Sequence, residues 1–126
     1  MIIEERVKWV ERNGHHILIQ DFTDCVNTQN SLKILKLFEK EVVASNYETF
    51  NTLTIITGIK FDPNLFLEMK NIAKRVRPRL ANSKRAMVGI DSATRRIMFK
   101  GMNMFAGGNP SLAFDTVEEA LEYLSS

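Results

Sequence analysis

Two stretches that read as buried strands, TLTIITG at 52–58, rich in β-branched residues, and RAMVGI at 85–90, flank one amphipathic segment that opens on Asp62-Pro63. No other feature constrains the fold as much. Val, Ile and Thr suit a pleated, buried strand. Aspartate is a strong helix N-cap, and proline suits the first helical position. Leu65, Met69, Ile72 and Val76 then recur at helical spacing, with Phe66 and Ala73 beside them. A strand, a helix and a second strand in this order imply parallel pairing through a right-handed crossover. The helix is expected to end near Arg77, because Pro78 disfavours α geometry in the residue before it.

The rest of the chain continues the alternation. RVKWVER reads as a strand, with Val7 and Trp9 on one face and Arg6, Lys8 and Val10 on the other. Asn13-Gly14 suits a two-residue turn in which both positions take positive φ, so HHILIQDF returns as its partner in a hairpin over 6–22. Ile34, Leu35, Phe38 and Val42 share a helical face within NSLKILKLFEKEVVA, and Asn30 is placed to cap it. Ser92 is placed to cap a helix over 93–106, stopped by Gly107-Gly108-Asn109-Pro110. SLAF reads as a short strand, and Thr116 with Glu119 forms a capping box ahead of VEEALEYL. The order β-β-α-β-α-β-α-β-α predicts one α/β domain over 1–126. Its five-stranded sheet is mostly parallel with an antiparallel first strand, and helices pack on it. A chain of 126 residues that is 44% hydrophobic can bury a core without staples.

Several classes are disfavoured. Cys25 is the one cysteine, so no internal disulfide forms, which fits a reducing compartment. MIIEERVKWVER is charged throughout and shows no signal peptide, and no apolar stretch approaches a membrane span, so the expected location is cytoplasmic. His15 and His16 are adjacent and point to opposite faces of a strand, and no four-ligand His/Cys metal set can be assembled. Cys25 stands among Asp21, Asp24 and polar residues, which raise a thiol pKa and oppose nucleophilic use. No G-x-S-x-G, phosphate-loop or dinucleotide fingerprint occurs. The expectation is a protein without cofactor, metal or catalysis.

The ordered set RVKWVERNGHHILIQDF, TLTIITGIKFDP, KRAMVGID and AFDTVEEALEYL resembles the SpoIIAA-like proteins, relatives of the STAS (sulfate transporter and anti-sigma factor antagonist) domain. The resemblance spans nearly the whole chain. It implies a small regulatory or interaction module that binds a protein partner or self-associates. Antagonists of this type are switched at a serine that starts the helix after the central strand, in a D-S-S-G context. Here that stretch is Phe61-Asp62-Pro63-Asn64-Leu65, with no serine, so the phospho-switch is not carried over. The fold type is shared with the CRAL-TRIO lipid-binding class, which brings in an amphiphile or acidic lipid as a second ligand class by analogy of fold.

Three sets of residues are candidates for binding. Ligands of open α/β sheets bind beyond the carboxyl ends of the parallel strands, where Asp21, Thr57, Gly58, Asp91 and Ser92 would gather; helix capping and turns are the commoner use of such residues. The helix over 93–106 crowds Met98, Phe99, Met102, Met104 and Phe105 together, edged by Arg95, Arg96 and Lys100. One face can bury Ile97, Met98, Gly101, Met102 and Phe105, leaving Phe99 and Met104 toward the flanks. Met98, Met102 and Arg95 would meet a partner if that face is exposed. Charge supplies the third set. Residues 60–100 hold 11 basic and three acidic side chains, whereas 101–126 hold four acidic and no basic ones. Lys70, Lys74 and Arg77 fall on one helix flank, with Arg79 in the following connection, as a docking patch for an acidic partner. Nucleic-acid binding through 70–85 is weaker, because no aromatic side chain is interleaved to stack on bases.

Overall fold

The computed structural model is an α/β fold with a five-stranded mixed sheet and four helices among the described residues. The strands are β1 (Val7–Arg12), β2 (His15–Asp21), β3 (Asn51–Ile55), β4 (Arg85–Val88) and β5 (Ser111–Phe114); the helices are α1 (Thr28–Ala44), α2 (Pro63–Leu80), α3 (Ala93–Ala106) and α4 (Val117–Leu124). Described are residues 1–106 and 110–126, and within α3 the side chains other than those of Thr94, Arg95, Met98, Met102, Met104, Phe105 and Ala106. The expected stop at Gly107-Gly108-Asn109 lies outside the described residues.

The strand order is β1-β2-β3-β4-β5. β1 pairs antiparallel to β2, from Val7 opposite Gln20 to Arg12 opposite His15, and the later pairs are parallel. The hairpin turn has Asn13 at φ 53° and Gly14 at φ 79°, the two positive values a tight primed turn needs. Because each new strand is added on the same side, crossovers of one hand carry α1, α2 and α3 to one face of the sheet. There Ile34, Leu35, Phe38 and Val42 of α1 and Leu65, Met69, Ile72 and Val76 of α2 pack with Leu18 and Met87. Ala120 and Leu124 of α4 cover Ile17, Ile19, Leu53, Ile55, Ala86 and Val88 on the other face.

Three local expectations are corrected. α1 is capped by Asn27, whose side-chain oxygen accepts from the backbone N–H of Gln29 and Asn30, so the cap lies three residues before the expected one at Asn30. α2 does not end at Arg77: Pro78 lies inside it and the helix runs to Leu80. One more turn buries Leu80 and brings Arg79 onto the end of α1, which offsets the hydrogen bond that proline cannot donate. A 3-10 turn over Ile3–Arg6 precedes β1 and was not expected.

The cap at Asp62 forms as expected. Its carboxylate accepts from Leu65 N at 2.8 Å and from the Thr28 hydroxyl, tying the start of α2 to the start of α1. Those bonds, the Thr28 one first, hold the Asp62 carboxyl below its usual pKa. A depressed carboxyl stabilises the fold above its unfolded value and loses that contribution as pH falls through the folded value. Asp62→Asn is therefore expected to be less stable than the parent at pH 7, with the gap closing below about pH 4. Urea titrations of both proteins across pH 2.5–7 (about 4 being the unfolded value) check this; a constant gap would contradict it.

Candidate functional site

The carboxyl ends of β2 to β5 share one rim, and its loops lock together in sequence. Phe22 N donates to Ile55 O and Asp24 N to Thr57 O, while Ile56 N donates to Val88 O, all at 2.8 Å. Two glycines permit this closeness. Gly58, at φ 71°, lies against the Asp24 carboxylate, and Gly89, at φ 103°, leaves only 2.5 Å between a built Cβ and Thr57 N. Asp21 serves the same framework. Its Oδ1 accepts from Thr23 N at 2.9 Å and from the Thr23 hydroxyl, and Arg6 approaches at 3.9 Å while donating to Thr23 O. Of the rim residues expected to bind a ligand, Asp21 and Gly58 thus have structural partners. Thr57 is exposed above Gly89, and Asp91 and Ser92 are exposed ahead of α3, where Ser92 O accepts from Arg96 N.

The rim opens between α3 and the ends of β4 and β5. A cleft of about 330 Å³ lies there, lined by Ile90, Arg96, Phe99, Lys100, Ala113, Phe114 and Asp115. Arg96 and Lys100 are exposed, one turn apart on α3, and Phe99 and Phe114 give the cleft an aromatic interior. Volumes from about 300 Å³ suit a small ligand or one or two side chains of a partner. Arg96 and Lys100 already stood out in the sequence as cations beside an apolar strip. Asp115 was legible too, as a residue at the carboxyl end of the last strand, but Ile90 and Phe114 were not. Their signal is positional, since Phe114 ends β5 and Ile90 stands two residues past the end of β4.

α3 is turned differently from the expected orientation. Ile97, expected in the buried face, is 71% exposed, while Phe99, expected on a flank, packs on the core. Asn103, one turn after Phe99, sets this rotation. It exchanges two hydrogen bonds with the Ser111 backbone, accepting from N at 3.0 Å and donating to O at 3.3 Å, and so pins α3 to the edge strand. Arg95, Met98 and Met102 belong to α3, but their side chains lie outside the described residues.

The basic segment is largely absorbed by the fold. Arg79 is on α2 rather than in the connection. It donates to Val42 O at 3.0 Å and to Ser45 O and Tyr47 O at 3.2 Å, and stands 5.8 Å from the centre of the Phe50 ring. It thereby closes the carboxyl end of α1, whose last carbonyls have no partner within the helix. Arg75 grips Glu39 through two nitrogens at 2.5 and 3.0 Å, which holds the Glu39 carboxyl below its usual range. Lys84 Nζ donates to Ser126 O and Tyr123 O and lies over the Tyr123 ring. Arg85 is buried in β4, and burial pulls its pKa down. Lys70 and Arg77 follow Phe66 along the flank turned to α3, where the Phe66 ring stands 3.6 Å from a Cβ built on Gly101; Lys74 is exposed.

Arg79→Ala is expected to cost about 2 kcal/mol, the scale of lost hydrogen bonds from a charged group. Arg79→Lys should restore less than half of it, because an ammonium cannot span three carbonyls as a planar guanidinium does. Urea unfolding of the two variants checks both. A cost near zero for Arg79→Ala would return this side chain to the docking patch.

The remaining sequence candidates stand apart from the cleft. Cys25 is buried, and its thiol pKa is raised first by burial and less by Asp21 and Asp24. His16 stacks on Tyr47 with ring centres 3.7 Å apart. Among the described residues no three His, Cys, Asp or Glu side chains stand where they could hold a metal ion, and no helix is long and apolar enough to cross a membrane. No family model, curated protein or solved structure matches the chain.

Proposed function

We propose that the protein is a non-catalytic binding module of the SpoIIAA-like (STAS-like) kind, whose recognition surface is the cleft between α3 and the ends of β4 and β5. Its occupant is an acidic segment of a protein partner that also presents an apolar or aromatic side chain. The cleft carries this reading, because it sets Arg96 and Lys100 beside Phe99 and Phe114 at the edge of an otherwise closed rim. The exposed Ile97 on the same helix extends the apolar surface outward. The mixed sheet with its antiparallel first strand supports the family resemblance, whereas the start of α2, with proline and no serine, departs from its switch-bearing members.

Fluorescence anisotropy with a labelled peptide of alternating Glu and Phe tests this. Binding should weaken with salt, and the double variant Arg96→Glu, Lys100→Glu should weaken it at least about tenfold, because each reversal replaces attraction by repulsion at a desolvated contact. Arg77→Glu, outside the cleft, should have little effect. Equal affinity of the double variant and the parent would overturn the assignment. An acidic lipid vesicle in place of the peptide tests the amphiphile as occupant, and sedimentation of the protein alone tests a second copy.

A further inference from the structure

The two edges of the sheet differ. β1 carries Lys8, Glu11 and Arg12, charges of the kind that keep an edge strand from pairing with another chain. β5, the opposite edge, reads SLAF and carries no charge. Leu112 is 42% exposed, Ala113 is exposed as well, and among the described residues no strand pairs with the outer side of β5. α3 reaches this edge through the bonds between Asn103 and Ser111, and its Ile97 is exposed too. An uncharged edge with exposed apolar side chains is a surface that another chain covers.

Opposite charges lie on the two faces that meet at this edge. On one face, α3 holds Arg96 and Lys100 at the cleft. On the other, α4 turns an acidic flank toward β5. The Tyr123 ring stands 5.3 Å from the Phe114 ring of β5, whereas Glu118 pairs with Arg12 of β1 at the far edge. Glu119 is four residues before Tyr123, so it shares that helix face and the β5 side. Glu122 follows one turn after Glu119, and both are exposed. Glu119 also accepts from the Thr116 hydroxyl at 2.9 Å, within the capping box. Leu112 is paired with Ala86 and so lies in the layer that α4 covers. Acid beside Leu112 on one face therefore matches base beside Phe99 and Phe114 on the other.

We propose that the occupant of the cleft is a second copy of this chain, a statement that rests on the cleft reading above and names its partner. Glu119 and Glu122 of each α4 meet Arg96 and Lys100 on α3 of the other copy, and Leu112 of each is covered by α3 of the other. Charge fixes the symmetry. A two-fold axis perpendicular to the sheet would set α3 against α3 and α4 against α4, like charges together. A two-fold axis running along β5 sets each α3 against the other copy's α4, because the two helices lie on opposite faces. The contact is then made twice and is self-complementary. The basic excess over 60–100 and the acidic excess over 101–126 belong to one chain and meet between two.

Sedimentation equilibrium of the whole protein tests this. It should show a dimer that dissociates as salt rises from about 0.1 M to about 1 M, over which the screening length falls from ~10 to ~3 Å. Reversing the cleft (Arg96→Glu, Lys100→Glu) or the helix (Glu119→Lys, Glu122→Lys) should weaken self-association at least about a hundredfold, since two attractive contacts become repulsive. Mixing the two variants should restore a dimer, because both contacts are then attractive again, and this also shows that both are folded. If one variant fails to fold, Leu112→Asp, at an exposed position, decides instead and should leave a monomer. A cleft variant or Leu112→Asp protein that stays dimeric overturns the proposal, as do folded charge variants that remain apart on mixing. A monomeric parent that still binds the peptide of Glu and Phe overturns the second copy and leaves the cleft reading standing, so the two fail separately.

Discussion

Gly89→Ala is expected to lower the unfolding free energy by about 3–5 kcal/mol, read as a fall in the urea midpoint at unchanged slope. Two costs combine at this residue. At φ 103° the backbone occupies a region that L side chains rarely adopt, and a Cβ would sit 2.5 Å from Thr57 N and 2.8 Å from Thr57 Cα. The obstacle is backbone, so no side chain can swing away to relieve it. Displacing it means separating the loops after β3 and β4, which the Ile56 N–H to Val88 O bond holds together. Gly14→Ala is the matched control, because Gly14 also has positive φ but nothing within 4 Å of a built Cβ. It should cost about 1 kcal/mol, for backbone strain alone. Equal losses at the two positions would show that the close approach at Thr57 has no energetic weight. Since the cleft opens beside this loop, Gly89→Ala should also weaken peptide binding in whatever fraction stays folded.

Phe22→Ala should be comparably damaging, at about 3–5 kcal/mol, the range for truncating a fully buried aromatic side chain. Phe22 has no exposure and directly follows β2, at the point where the first rim loop turns back. Its N–H donates to Ile55 O and its carbonyl accepts from Cys25 N, so its backbone is fixed on both sides and cannot collapse into the space left behind. Phe22→Leu keeps most of the volume and should cost about 1 kcal/mol. Chemical denaturation of the pair distinguishes packing from a special need for a ring; similar losses in both would favour the latter.

The hairpin, the capped start of α2 and the capping box at Thr116 were legible because each depends on residues close in sequence. Asn13-Gly14 needs only its own backbone angles, and Thr116 Oγ1 accepts from Glu119 N three residues away. The end of α2 was not legible for the opposite reason. Pro78 argues locally for a stop, but Leu80 and Arg79 find partners on distant segments, and those contacts win. The rotation of α3 followed the same rule. Its apolar residues are too numerous to define one face, so Asn103 and its bonds to the Ser111 backbone decide which side turns inward. The cleft was partly visible through Arg96 and Lys100, whereas Phe114 joins it only once the strand order places β5 beside β4. The sheet face beneath α1 and α2 has a sequence signal of its own: Gln20 interrupts an apolar strand, and Thr52 and Thr54 alternate with Leu53 and Ile55.

The strand order also has a temporal meaning. Each strand pairs with the one translated just before it, so a growing chain can add β3, then β4, then β5 to an edge already in place. Contacts between sequence neighbours of this kind favour rapid folding. One layer lags behind. The surface formed by Ile17, Leu53 and Ala86 receives its cover only when α4 is made, and until then it is an open apolar sheet. α4 is fastened where it meets early residues: Asn51 donates to Leu124 O at 2.7 Å, and Arg12 pairs with Glu118 at 2.5 Å. Its eight residues therefore act as a latch on a nascent chain, and a ribosome-stalled intermediate lacking them should be the species most in need of a chaperone.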